Sequence, residues 1–154
     1  MLGKRYLIRN ATKDDLMFIA GRLRDSDRAE CDALGHVGVN AAYRAMLRAT
    51  EARVGVADGV PFVAFGLGVP LVFAHYANPW LLGTGEIVKH RLTFLRESRG
   101  IVADWLQRYP VLENYVDQRN SLSIAWLKWL GFKLYDAIPY GPQGLPFCRF
   151  ELRA

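Results

Sequence analysis

Residues 114–136 read NYVDQRNSLSIAWLKWLGFKLYD, and the order of patterns inside this stretch decides the fold. A short strand ends at Asp117. Asn120 stands where its side chain can accept from the first free amides of a helix. Ser121 to Leu130 then supplies about two and a half turns, and Gly131-Phe132 closes the helix before a second strand, Phe132 to Asp136.

The patterns on either side extend this strand–helix–strand unit. Upstream, NPWLLGTGEIVKHRLTFLRESRGIVADWLQRYP reads as a strand over Trp80–Thr84, a glycine-containing loop and a long helix. Leu92, Leu95, Val102, Trp105 and Leu106 are its expected buried face, and Pro110 lies just beyond its end. Before it, ARVGVADGVPFVAFGLG forms two apolar strands around an Asp58-Gly59 turn, a hairpin. The first strand is Arg5 to Thr12. Thr12 precedes a helix with Asp14 and Asp15 in its first turn, and further helices are expected over Asp25–Gly35 and within NAAYRAMLRATE. Downstream, FCRFEL is the last strand. AIPYGPQGLP, with three of the seven prolines, is an apolar loop expected to pack on the body. An antiparallel hairpin followed by a strand–long helix–strand crossover implies an α/β (α+β) domain, a mixed and mainly antiparallel central sheet flanked by helices.

At 154 residues the chain fits one domain, and with 51% hydrophobic and 23% charged residues it has the composition of an ordinary globular protein. The net charge of +5 is spread along the chain, which suits acidic small molecules or a generally basic surface. Cys31 and Cys148 match no CxxC or metal spacing and read as buried reduced thiols. His36, His75 and His90 are scattered and give no metal-ligand pattern, and neither a GxSxG nor a Walker motif occurs. Tyr109, Tyr115, Trp126 and Trp129 lack interleaved basic residues, which disfavours nucleic acid. The amino-terminal MLGKRYLIRNAT has no signal-peptide form, and the run VPFVAFGLGVPLVFA is too short and too broken to span a bilayer. No membrane association and a cytoplasmic location are therefore expected.

Asn120, Ile124, Leu130, Gly131 and Phe132 fall on a strand–Asn–helix–Gly-Phe pattern that resembles the GNAT superfamily of acetyl-CoA-dependent N-acetyltransferases, and the element order matches over nearly the whole chain. RAECDALG, PWLLGT, FLRESR, YPVLENYVDQRN, WLKWLGF and PYGPQGLPF, in that order, are also similar to GNAT-like proteins of tailed phages labelled internal virion protein A. The resemblance implies acetyl-CoA as cofactor, an amine as acceptor, Leu82, Gly83, Thr84, Gly85 and Asn120 as cofactor-binding residues, and a phage protein of the host cytoplasm or the virion. It equally admits a non-catalytic virion or tail component, or a binder of a host factor.

Three departures qualify the resemblance. The family's glycine-rich phosphate loop brings backbone amides at a helix N-terminus close to phosphate oxygens; here GTGEIVKHR keeps Gly83, Thr84 and Gly85, with Lys89, His90 and Arg91 nearby, but places Glu86 in the loop. The family's Tyr, seven positions after the Asn, protonates the leaving thiolate; here that position is Leu127, which has no proton to give. NPWLLGT carries no general base. Glu30 and Asp27 on the second helix are candidates, with His75 a further one, although carboxylates on short helices are ordinarily solvated. Asp117 beside Arg119 reads as an ion pair.

Overall fold

A computed structural model describes residues 5–71 and 75–154, so the ends of the amino-terminal stretch and of the apolar run 60–74 lie outside the described residues. In chain order the elements are β1 (Tyr6–Asn10), α1 (Lys13–Ala20), α2 (Asp25–Ala33), α3 (Val39–Leu47), β2 (Glu51–Ala57), β3 (Val60–Gly68), β4 (Tyr76–Gly83), α4 (Ile87–Arg108), β5 (Val111–Asp117), α5 (Ser121–Trp129), β6 (Lys133–Leu134), β7 (Ile138–Tyr140) and β8 (Leu145–Arg153). The eight strands form one sheet in the order β1-β2-β3-β4-β5-β8-β6, with β7 also on β8. Every pairing is antiparallel except β4 with β5. The mixed, mainly antiparallel sheet read from the sequence is therefore present.

Two apolar cores cover the two faces. On one, Leu16, Ile19 and Ala20 of α1, Cys31 of α2, and Ala42 and Met46 of α3 pack on Val54, Val56 and Ala64. On the other, Phe94, Val102 and Trp105 of α4 and Leu127 of α5 pack on Phe65, Leu67, Ala77 and Leu112. α1 starts where the sequence says, because Thr12 accepts from the Asp15 amide and the Asp15 carboxylate accepts from the Thr12 amide, a capping box. The hairpin turns at Asp58-Gly59, both with positive φ. No helix among the described residues is long and apolar enough to cross a membrane.

β4 runs Tyr76–Gly83, beginning before the expected Trp80. Two further details differ from the sequence reading. The buried stripe of α4 is Ile87, His90, Phe94, Ser98, Val102 and Trp105, while Leu92 is 62% exposed. The stripe includes two polar residues whose groups are satisfied inside: His90 meets the Tyr6 hydroxyl at 3.0 Å, and the Ser98 hydroxyl donates to the Leu95 carbonyl and accepts from the Trp126 indole. Counting apolar residues alone rotates the helix away from them. The loop 137–146 is also more ordered than its prolines suggest, since Ile138–Tyr140 pairs antiparallel with Leu145–Phe147. It does pack on the body: Tyr140 stacks on Tyr115 at 4.0 Å between ring centroids.

Candidate functional site

β4 and β5 are the one parallel pair, and their ladder holds only at Tyr76–Val111 and Ala77–Leu112. Beyond that point the strands diverge. The missing rungs are replaced by side chains. Near the closed end the Asn78 amide donates to the Glu113 carbonyl at 2.8 Å, and the Asn114 amide to the Pro79 carbonyl at 2.9 Å. At the open end the Gly83 amide donates to Asp27 Oδ2 at 2.8 Å, and the Asp117 amide to Glu30 Oε1 at 2.7 Å. Asp27 and Glu30 are one helical turn apart on α2, so one helix reaches both strands.

Antiparallel ladders alternate, so each strand turns every second backbone group away from its partner. The Thr84 amide donates to the Phe62 carbonyl, which fixes the phase between β3 and β4. The N–H groups of Gly83 and Leu81 consequently face the gap. Asp27 takes the first, and the second stays available to a ligand.

Asp27 is fully buried and bound on all sides. Arg24 Nε donates to its Oδ2 at 3.0 Å, and Asn120 Nδ2 to its Oδ1 at 3.0 Å. Asn120 Oδ1 accepts in turn from Arg24 and from the Ser123 amide, which caps α5. Burial pushes the Asp27 pKa up against the opposing Arg24 charge. Glu30 has no cation among its hydrogen-bond partners. Burial, with the charges of Asp27 and Asp117 adding to it, pushes its carboxyl up to about 7 despite the Asp117 amide. Burial acts to raise the Asp117 pKa, but hydrogen bonds and charge from Arg119, whose Nη2 lies 2.7 Å from its Oδ2, outweigh it and hold the carboxyl below the usual range, the ion pair expected from the sequence.

The gap opens into a cavity of about 340 Å³ that passes through the sheet. On the α2–α3 face its wall includes Glu30, Leu34, His36, Met46 and Arg48, and on the other face Trp105, Trp126 and Leu127. A second cavity of about 280 Å³ lies between α4 and α5, bounded by Ile87, Arg91, Leu122 and Trp129. The two share Leu81, Ser123 and Trp126 on their walls, so the second lies directly beside the first. One group on this wall is out of balance: the Trp80 indole N–H is buried with no acceptor among the described residues. Such an orphan donor costs about 1–3 kcal/mol.

The connection from β4 to α4 holds only Thr84, Gly85 and Glu86. The Thr84 amide is bound to Phe62, Glu86 to the Thr84 hydroxyl, Ile87 to the Thr84 carbonyl and Lys89 to the Glu86 carbonyl. The amides of Gly85 and Val88 take part in none of these bonds. Lys89 Nζ pairs with the Glu86 carboxylate at 3.2 Å, His90 is buried against Tyr6 and Phe62, and Arg91 lines the second cavity.

The structure thus brings Asp27, Glu30, Leu82, Gly83, Thr84 and Asn120 to one end of the β4–β5 gap and separates their tasks. Leu82 and Glu30 line the cavity, and Gly85 is exposed at the loop. Asp27 and Asn120 are spent on the internal network: Asp27 has no exposure through which to meet an acceptor amine, and the Asn120 amide holds Asp27 and α5 rather than a ligand. His75 is exposed ahead of β4 and is not on the cavity wall. Leu127 is buried in the channel wall. The sequence reading placed the strand end Leu81–Gly85 at the site but missed Asn78 and Asn114, whose roles depend on strand divergence. Asparagines inside apolar strands were the available signal.

No protein-family model matches the chain, and no curated protein sequence matches it. Solved structures do match. A GCN5-related N-acetyltransferase from Kribbella flavida superposes with a TM-score of 0.71 at 15% identity, covering 97% of this chain and 98% of that one. The GNAT-family acetyltransferase of Bacillus anthracis gives 0.72 at 10% identity, covering 97% and 95%. The ribosomal-protein-alanine N-acetyltransferase of Brucella melitensis gives 0.60 at 16% identity, covering 96% and 99%. At these identities the likeness is one of fold: the chain has the GNAT fold.

Proposed function

We propose that the chain is an acyl-CoA-dependent N-acyltransferase with a reduced phosphate loop. The observation that carries this reading is the channel through the β4–β5 gap, with the Leu81 amide and the Glu30 carboxyl on it. The fold similarity to acetyltransferases supports it, and the site fits the acyl-pantetheine end of acetyl-CoA: an apolar passage between α4 and α5 leading to an unpartnered backbone N–H. The diphosphate end has less to hold it, namely the Gly85 and Val88 amides and the Arg91 guanidinium, with the Glu86 carboxylate opposing.

When bound, the cofactor supplies an acyl group activated as a thioester. The residues of the chain then do three things. The Leu81 N–H, held rigidly by the sheet, donates to the acyl oxygen as negative charge develops there. The channel aligns the acyl carbon with the amine entering from the α2–α3 side, which removes much of the entropy cost of the encounter. Glu30, with its pKa near 7, takes the amine proton as the C–N bond forms and the C–S bond breaks. Leu127 offers no proton to a leaving sulfur, which would therefore have to depart as thiolate. A free thiol has a pKa of about 8.5, so departure without an acid is feasible at neutral pH but slower than an acid-assisted one.

Asp27, Arg24 and Asn120 position this machinery by fixing α2 against β4 and α5. Saturating acetyl-CoA should raise the melting temperature, since a ligand at about a hundred times its Kd stabilises the native state by about 2.7 kcal/mol. No shift with acetyl-CoA or longer acyl-CoAs would sink the reading.

A second reading is favoured by Leu127 and by the occupied loop amides: a GNAT fold without catalysis, serving a tailed phage as a virion or tail component or as a binder of a host factor. It rests on the motif resemblance to phage proteins. Mass spectrometry of purified virions tests the packaged form, which requires the protein in fixed stoichiometry.

A further inference from the structure

The cavity on the α2–α3 side has two electrostatically different ends. Around Glu30 the neighbouring charges are the carboxylates of Asp27 and Asp117, with the Arg119 guanidinium, paired to Asp117, also within reach. Further along the same wall stand His36 and Arg48, close enough for the Arg48 charge to act on the imidazole. Arg48 makes no ion pair with any described carboxylate. Leu34, Met46, Ala49 and Trp80 supply apolar wall, and Trp80 brings the buried indole N–H that lacks an acceptor. The Arg48 guanidinium is exposed on this wall with no described carboxylate against it, so it offers a positive charge to an anionic group that enters the cavity.

The turn between β7 and β8 limits the size of what enters. Gln143 Nε2 donates to the Asp32 carbonyl at the end of α2 at 3.4 Å. Gly141, at φ +77°, lies so near α2 that a Cβ would sit 2.9 Å from the Ala33 carbonyl oxygen. Only glycine allows this approach. With Tyr140 stacked on Tyr115, and both on the cavity wall, the turn ties α2 to the strands across that side of the cavity. The whole cavity, both faces of the sheet included, is about 340 Å³, which suits a small molecule better than an extended chain.

We propose that the acceptor is a small primary amine carrying a carboxylate or phosphate, bound with its nitrogen at Glu30 and its anion at Arg48, and not the amino terminus of a protein. This deepens the acyl-transfer reading and rests on it. Catalysis then needs no recognition of a partner surface: the two charges of the acceptor orient it along the wall.

Calorimetric titration of the intact protein tests the site without the cofactor, using ω-amino carboxylates of two to six carbons, their methyl esters, O-phosphoethanolamine and ethanolamine. The expected result is that one acid binds at least about tenfold more tightly than its ester, or the phosphate than ethanolamine, and that Arg48→Gln removes that preference. Equal binding of charged and neutral members, no binding by any of them, or a preference unchanged in Arg48→Gln would overturn the proposal. Thiol release from acetyl-CoA with the same amines, and with a peptide bearing a free amino-terminal alanine, separates the two levels. An anionic amine that binds through Arg48 but releases no thiol keeps the site and removes the transfer reading. Faster release with the peptide or the esters keeps transfer and removes the proposal.

Discussion

Glu30→Gln keeps the length of the side chain and its acceptor oxygen for the Asp117 amide while removing the titratable group. In the folded protein Glu30 is pushed from its ordinary value of 4.5 up to about 7 by burial and by Asp27 and Asp117. A pKa raised on folding means that the folded state prefers the protonated acid. Glu30 therefore favours the native state fully below about pH 4.5, and this contribution is lost as pH rises toward 7. At 1.36 kcal/mol per unit, the wild type loses about 2.5 kcal/mol relative to Glu30→Gln between about pH 5 and pH 8. Urea unfolding of both proteins at the two pH values measures this difference, with Gln the more stable partner at the alkaline end. Activity moves the other way. The ionised fraction of Glu30 rises about tenfold between pH 6 and pH 8, so the ratio of wild-type to variant kcat/KM should rise about tenfold over that range. Taking the ratio cancels the titration of the acceptor amine. A stability difference independent of pH, together with a flat ratio, would refute both the raised pKa and the role of Glu30 as base.

Further outcomes follow from the same geometry. Asn120→Ala leaves Asp27 and Arg24 short of partners in a buried network and should cost about 3 kcal/mol, seen as a drop of roughly 10 °C in thermal unfolding; a loss within experimental error would show the network to be dispensable. Gly66→Ala puts a Cβ 1.8 Å from the Glu51 carbonyl oxygen of the neighbouring strand. With backbone as the obstacle, it should destabilise by about 3 kcal/mol or more in chemical unfolding. Leu127→Tyr places a hydroxyl on the channel wall where the thiolate leaves, and should raise kcat about tenfold or more in a thiol-release assay. An unchanged kcat with the fold intact would mean that thiolate departure is not slow.

The parts legible in the sequence were those written locally. Asn120 as a cap, Gly131-Phe132 as a stop and Asp58-Gly59 as a turn each depend on a few adjacent residues, and these elements lie where the sequence puts them. α4 was harder because its buried stripe includes His90 and Ser98, whose partners come from β1 and α5. The site was least legible. That Glu30 reaches the Asp117 amide, 87 positions away, and that Asn120 meets Asp27, 93 positions away, depends on how the sheet brings α2 over its split. The sequence could nominate the two carboxylates but could not say that one would be locked away and the other left on the cavity wall.

The side-chain stitches across the β4–β5 gap also bear on how a ligand gets in. A parallel pair that merely parted for its ligand would have to break rungs on every visit and remake them afterwards. Here Asn78, Asn114, Asp27 and Glu30 have already taken over backbone groups that the lost rungs would leave bare. The passage is built into the fold. Entry then carries little reorganisation cost, and more of the contact energy is kept as affinity.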